Sequence, residues 1–248
     1  MMKKKQNIFY CFAAKKSFLE AELLLDFIDI HTHYLPGVDD GFQCQADTIA
    51  ALEAMRAWGV KRIYFTPHVM ADLPANRVPF LKEQFVGLAL KIPEGMEVRL
   101  GAEYMLDASF YVREEEGLLF LGDRYVLIEM SYLYPSPELD QIVYNLQIRN
   151  YIPLLAHPER YLFLNEKKHE ELRDRGCRYQ LNLMSLSGQY GVRAQQVAWY
   201  LLQHGMYDFV GTDIHRLPVF RRSMERLKLT VPEEELLHRL IRQNELLW

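Results

Sequence analysis

The sequence predicts a single α/β domain in which parallel strands form a barrel, with a helix after most strands. Two observations carry this. Short β-rich apolar runs alternate with longer amphipathic segments from residue 27 onward, and such alternation means parallel strands joined by right-handed helical crossovers. The second is spacing: seven strand segments in about 220 residues suit a barrel, one strand fewer than the usual form. Half of the 248 residues are hydrophobic and a quarter charged, an ordinary globular composition with ample material for one core.

The strand segments are Phe27–His31, Arg62–Thr66, Glu97–Gly101, Tyr125–Met130, Ile152–Ala156, Arg178–Asn182 and Asp208–Thr212. Helical patterns cover Ala46–Trp58, Pro79–Leu90, Pro137–Asn150, Glu166–Gly176, Gln195–Gly205 and Pro232–Leu246. In the last of these Pro232 sits in the first turn, and Glu233 to Glu235 favour the positive end of the helix dipole. No repeat, low-complexity tract or linker divides the chain, so residues 27–248 read as one domain behind an extension of residues 1–26.

Several function classes are excluded early. The net charge of −4 gives no overall basic field for nucleic acid. Cys11, Cys44 and Cys177 have no CxxC spacing, which argues against a disulfide framework or thiolate zinc site and for a reducing, cytoplasmic setting. The start imitates a secretory signal, but its apolar stretch Ile8–Ala14 is short and closed by Lys15 and Lys16. No run approaches the roughly 18 apolar residues of a membrane span. There is no P-loop and no GxSxG elbow. A cysteine phosphatase needs an arginine six residues after its thiolate; Ser17, Ala50 and Leu183 stand there instead.

The chemistry sits at the strand ends. Strand one ends in Asp29-Ile30-His31-Thr32-His33, strand two runs into Thr66-Pro67-His68, and strand three into Gly101-Ala102-Glu103. Strand four carries Glu129, strand five runs into His157-Pro158-Glu159-Arg160, and strand seven ends in Asp213-Ile214-His215. Strand six ends in Asn182. A barrel gathers these ends on one face, where such residues read as catalytic. Residues two apart point the same way, so His31 can pair with His33, and Asp213 with His215. Mixed imidazole and carboxylate donors suit manganese, iron or zinc. So many donors imply two or three ions around bridging carboxylates. A lone histidine at such a position is more often a packed residue than a ligand, and His169, His204 and His238, on helices, are read that way. Six separated segments carrying ligand types together are much harder to reach by accident.

The run DIHTHYLPGVDDG (29–41) resembles the opening motif of the PHP (polymerase and histidinol phosphatase) superfamily. More narrowly it resembles the manganese-dependent protein-tyrosine phosphatases of bacterial capsule and exopolysaccharide operons. TPH (66–68), GAE (101–103), YVLIE (125–129), LLAHPERY (154–161) and TDIH (212–215) follow in order, so the resemblance spans about residues 27–230. It implies a distorted, seven-stranded TIM-like (β/α)7 barrel with three metals, Mn²⁺ foremost. It assigns His31, His33, Glu103 and Asp213 to one ion. Glu129 and His157, sharing Glu103, would hold a second, and Asp40, His68 and His215 a third. Asp39 is the neighbour that competes with Asp40, and family spacing favours Asp40. Arg160 matches a phosphate-binding arginine. The second family arginine falls on Phe220, so a one-residue slip to Arg221 is expected, with Arg216 as the other candidate.

The implied reaction is attack of metal-activated hydroxide on phosphotyrosine. The implied substrate is the autophosphorylated tail of a tyrosine kinase controlling surface polysaccharide. The rival readings are a phosphoesterase for histidinol phosphate or another small phosphomonoester, a nuclease, and a non-catalytic kinase-binding barrel. Tyr34, Tyr104, Tyr132, Tyr134 and Tyr161 adjoin the expected ligands and are candidates to stack on a phenyl phosphate. Ordinary packing explains most of the chain's 15 tyrosines.

Overall fold

A computed structural model of the chain describes residues 15–248. The elements run β1 (Lys16–Ser17), β2 (Ile28–Asp29), α1 (Gln45–Ala57), β3 (Arg62–Phe65), β4 (His68–Val69), α2 (Val78–Ala89), β5 (Glu97–Leu100) and β6 (Glu103–Met105). There follow α3 (Phe110–Glu116), β7 (Tyr125–Glu129), α4 (Leu139–Ile148), β8 (Ile152–Ala156), α5 (Glu166–Asp174) and β9 (Arg178–Asn182). The chain closes with α6 (Val192–Gln203), β10 (Phe209–Gly211), α7 (Leu217–Arg226), β11 (Lys228–Leu229) and α8 (Val231–Gln243).

Every expected strand segment contains strand, all parallel, and the layer curls. It is hydrogen-bonded as two sheets rather than one uninterrupted barrel sheet: β2-β3-β5, and β10-β9-β8-β7-β6-β4. Beyond the second and third expected strands the chain resumes strand after a break, β3 giving way to β4 past Thr66-Pro67 and β5 to β6 past Gly101-Ala102. Pro67 has no N–H to give a ladder, and glycine weakens a strand, which explains the breaks. A parallel bridge from Thr32 to Ile214 links the chain just after β2 to the chain just after β10.

Alternation sorts the side chains. Leu127, Leu154 and Ala156 join Ile28, Ile30 and Phe209 in one buried cluster. Their neighbours Val126, Ile128 and Leu155 belong to the larger core that includes Leu52 of α1, Leu146 of α4 and Leu201 of α6. Each such aliphatic side chain contributes roughly 1.5–3 kcal/mol when fully buried. The same two-residue period sets Glu129 on the face of Leu127, which aims its carboxylate inward above the apolar floor.

Two helices were not among those expected from the sequence. The three-turn α7 buries Phe220, Ser223 and Met224, and the shorter α3 buries Phe110. The extension is not a free appendage where it is described. β1 pairs antiparallel with β11, and Phe18, Leu23 and Leu24 are buried. Gly59, at a positive φ of 98°, lets residue 25 pass close: a Cβ there would lie 2.9 Å from Leu25 Cα. Cys11 and the stretch Ile8–Ala14 lie outside the described residues. Among the described residues, no helix is long and apolar enough to cross a membrane.

Candidate metal centre

The strand ends converge, and eight of the nine expected ligands meet in three groups, each within reach of one ion: His31, His33, Glu103 and Asp213; His68, Glu103 and Glu129; His33, Asp40, His68 and His215, with His157 outside all three. Glu103 is wholly buried and central. Its carboxylate lies 3.1 Å from His31 Nε2, 3.4 Å from His33 Nε2, 3.0 Å from His68 Nδ1 and 3.0 Å from His157 Nε2.

The rings are oriented from behind. His31 Nδ1 lies 2.9 Å from Gln180 Oε1, and His33 Nδ1 lies 2.9 Å from Asp39 Oδ2. Both acceptors are oxygens, so both Nδ1 atoms carry a proton, and each Nε2 is left facing the carboxylates of Glu103 and Asp213. Those two Nε2 atoms lie 3.3 Å apart, so that a cation displacing their protons would take both lone pairs at one point. Four buried atoms of the site have no hydrogen-bond partner: His68 Nδ1, Glu103 Oε2, Glu129 Oε1 and His157 Nδ1. His68 Nδ1 is 2.8 Å from Glu129 Oε1 and 3.0 Å from Glu103 Oε2, at angles that make no hydrogen bond.

Asp213 divides its carboxylate. Oδ1 faces His33 Nε2 at 3.2 Å and His31 Nε2 at 3.6 Å, while Oδ2 accepts from Asn182 Nδ2 at 2.7 Å and Arg160 Nη1 at 3.1 Å. Asp213 and His157 both hold left-handed backbone, φ 52° and 37°. For residues other than glycine this costs of order 1–3 kcal/mol each and gathers at functional sites.

The charges are mutually dependent. Burial pushes His31, His33 and His68 down, but the carboxylates around them outweigh it, and all three hold protons more tightly than free histidine. Burial likewise raises Glu103 and Asp213, and the surrounding histidines bring both below the usual carboxylate range. Asp29, at the base of strand one, is pushed up to about 7 by burial, against the hydrogen bonds it accepts from Thr212.

The sequence matches the family "Capsular polysaccharide synthesis, CpsB/CapC" over residues 27–245. The chain belongs to the CpsB/CapC family. Tyrosine-protein phosphatase YwqE of Bacillus subtilis is 30% identical over 202 residues, covering 77% of this chain and 78% of that protein. Tyrosine-protein phosphatase CpsB of Streptococcus pneumoniae is 30% identical over 202 residues, covering 77% and 83%. A crystal structure from work on YwqE of B. subtilis and CpsB of S. pneumoniae, described as unique metal-dependent tyrosine phosphatases, superposes with a TM-score of 0.76. It is 28% identical, with 89% of this chain and 93% of that one covered.

Within this CpsB/CapC fold the two adjacent aspartates separate cleanly. Asp39 is buried behind His33, whereas Asp40, its side chain 75% exposed, faces His215 Nε2 at 3.2 Å and His68 Nε2 at 3.4 Å. Arg160 lies at the mouth, its guanidinium stacked between Tyr190 at 4.2 Å and Tyr132 at 4.6 Å. The expectation for Arg221 fails. A helix turns about 100° per residue, so with Phe220 facing the core Arg221 points outward, where it stacks over Trp58 at 5.5 Å. Arg216, one residue before α7, lines the pocket instead, with Gln189 and Val219. Tyr34, Tyr104 and Tyr161 are buried packing residues, and Tyr104 and Tyr161 accept backbone N–H groups from Leu119 and Met130. Only Tyr132 of the five candidates lines the metal pocket.

Sequence reasoning did not assign Gln180, Gly41, Gly211 or Tyr190. Gly211 is the legible one, directly before TDIH: a Cβ there would lie 2.6 Å from His31 Cβ. Gln180 carries no local signal, because its partner is 149 residues away.

Proposed function

We propose that this chain is a divalent-metal-dependent protein-tyrosine phosphatase acting on phosphotyrosine of a tyrosine kinase that controls capsule or exopolysaccharide synthesis. The observation that carries the reading is the convergence of His68 Nδ1, Glu103 Oε2 and Glu129 Oε1, buried and without hydrogen-bond partners, beside the Nε2 atoms of His31 and His33, 3.3 Å apart. Leaving such groups unpaired costs ~1–3 kcal/mol each, and divalent cations are the natural partners of this donor set. His31, His33, Glu103 and Asp213 would hold one ion. Glu103, Glu129 and His157 would hold a second, with His68 also in reach. Asp40, His68 and His215 would hold a third. Mn²⁺ fits the mixed nitrogen and oxygen donors, with Fe or Zn as competitors. We further read the curled layer as a distorted seven-stranded barrel closed between Thr32 and Ile214.

Divalent ions bound there would supply Lewis acidity, both for activating water near neutral pH and for neutralising phosphoryl charge. The protein's own part is positioning. Gln180 and Asp39 fix the lone pairs of His31 and His33. Arg160, kept charged by Asp213 despite its burial, has guanidinium N–H groups left for phosphoryl oxygens. Arg216, across the mouth, supplies a second cation. Tyrosine is a good leaving group, and we assign no separate acid.

The cavity of about 270 Å³ lies just below the ~300–1,000 Å³ of ordinary ligand pockets, a size for one aryl phosphate. Its rim is exposed at Tyr132, Asp40 and Arg216, which favours a phosphate presented on a flexible protein tail over an enclosed metabolite. The sparse cysteines support a cytoplasmic location. The test is phosphate release from a phosphotyrosine peptide and from histidinol phosphate, with Mn²⁺ and after chelation. Mn²⁺-dependent release from the peptide, lost in His31→Ala, is expected. Preference for histidinol phosphate would overturn the substrate assignment, and metal-independent turnover would overturn the mechanism.

A further inference from the structure

A second trough opens beside the metal pocket, past the ends of the same three strands. Two residues beyond His68 stands Met70, two beyond Glu103 stands Met105, and two beyond Glu129 stands Ser131, and all three line the trough. In β6 the two-residue step keeps Met105 on the face of Glu103, while Met70 and Ser131 follow just beyond the ends of β4 and β7. The backbone ties the floor together: Leu106 N donates to Glu129 O at 2.8 Å, and Ala71 N donates to Asp107 Oδ2 at 2.7 Å. Tyr132 lines both cavities and is their shared wall.

Four features give the trough a chemistry. Met70, Met105, Leu106 and Pro137 make its lining apolar, and two of these are methionines, which adapt to varied side-chain shapes. Its volume of about 510 Å³ exceeds that of the metal pocket. Its wall leads into a run of large apolar side chains left in solvent, Tyr132, Leu133 and Tyr134, at 54%, 84% and 64% exposure. Among the described residues its only charged lining residues are Asp72, Asp107 and Glu138, with no lysine, arginine or histidine. The cations Arg160 and Arg216 lie in the metal pocket alone.

Resting on the phosphatase reading above, we propose that this trough is the subsite for residues flanking the phosphotyrosine. It takes a large apolar side chain within a few residues of the phosphotyrosine on one side and favours basic over acidic residues beyond it. The phosphate and the flanking residues are thus sorted by sign: the dianion enters beside Arg160, and the neighbouring chain crosses an acidic rim. Acidic neighbours are disfavoured by like charge, which is costlier in a partly desolvated groove than in water. The exposed Tyr132–Tyr134 run is the apolar lip against which the bound peptide lies.

The experiment measures kcat/KM on matched phosphotyrosine peptides carrying Leu and Lys, or Asp and Glu, on either side, with p-nitrophenyl phosphate as a substrate too small to reach the trough. The wild-type protein is expected to prefer the Leu–Lys peptide at least tenfold on one side only. Ala108→Trp fills the trough and should erase that preference. Asp72→Lys, an exposed charge reversal, should shift it toward the acidic peptide. Neither should change p-nitrophenyl phosphate turnover more than twofold. Equal turnover of all peptides, or a preference that survives both substitutions, would overturn the subsite while leaving the phosphatase reading intact. Failure of the wild-type protein to hydrolyse any of these substrates would overturn both.

Discussion

Replacing Asp39 with asparagine isolates the carboxylate that orients His33 without itself facing the ion groups. Asp39 uses both oxygens as acceptors: Oδ1 takes the Gly41 N–H at 2.9 Å, and Oδ2 takes His33 Nδ1 at 2.9 Å and the His68 N–H at 3.1 Å. Asparagine keeps the shape but offers one oxygen and one NH₂. If the oxygen faces His33, the NH₂ meets the Gly41 N–H and one buried donor is orphaned. If the NH₂ faces His33, Nδ1 must accept and Nε2 must keep the ring proton, which removes the nitrogen available to an ion, and the NH₂ also meets the His68 N–H. Either arrangement costs ~1–3 kcal/mol, a factor of roughly 5–150 at about 1.4 kcal/mol per decade. Loss of such an orienting partner lowers metal affinity about 10- to 100-fold. The assay is the Mn²⁺ concentration giving half-maximal p-nitrophenyl phosphate hydrolysis in Asp39→Asn. The expected result is a rise of that size with kcat largely recovered at saturating metal. An activation curve within twofold of wild type, at unchanged Tm, would refute the assignment of Asp39 as the orienting group.

Further outcomes follow from the same geometry. Arg160→Lys removes the planar group stacked between Tyr132 and Tyr190, and a charge-assisted contact worth about 1.5–3 kcal/mol, so kcat/KM should fall roughly 10- to 100-fold. Arg221→Ala should change kcat/KM less than about threefold, because its guanidinium rests on Trp58. His31, His33 and His68 hold protons above the ordinary histidine value in the metal-free protein, so their stabilising contribution is complete below about pH 6.5 and is lost as pH rises through the raised values. Metal must displace those protons, so Tm of chelated protein should fall as pH rises above about 6.5 while the increment added by Mn²⁺ grows. A Mn²⁺ increment independent of pH would contradict this. Gly211→Ala drives a methyl against His31 Cβ, an overpacking that costs ~1–3 kcal/mol and should weaken Mn²⁺ activation along with Tm.

The fold class was legible because alternation is local. Apolar runs such as Tyr125–Met130 and Ile152–Ala156 need only their own residues to be read as buried parallel strands. The ligand types at strand ends were legible for a related reason: a parallel layer gathers its C-terminal ends on one side, so the list of end residues is already a list of neighbours. α7 was not among the expected helices, although Phe220, Met224 and Leu227 repeat at helical spacing. Arg221 was expected from the spacing of the family motif, and the helix turns it away from the pocket.

What the sequence determined by itself is therefore the strand-and-helix order, the mixed imidazole and carboxylate donor set and its place at the strand ends. What only the tertiary structure decided is direction. Asp39 and Asp40 are adjacent and chemically identical, yet one is turned behind His33 and the other toward His68 and His215. Gln180 reaches His31 across 149 residues, and Asn182 and Arg160 share one oxygen of Asp213. Composition and spacing fix which atoms can donate or accept. Which way each side chain points depends on backbone torsions and on packing by residues distant in the chain, and those are set when the strands close around one core.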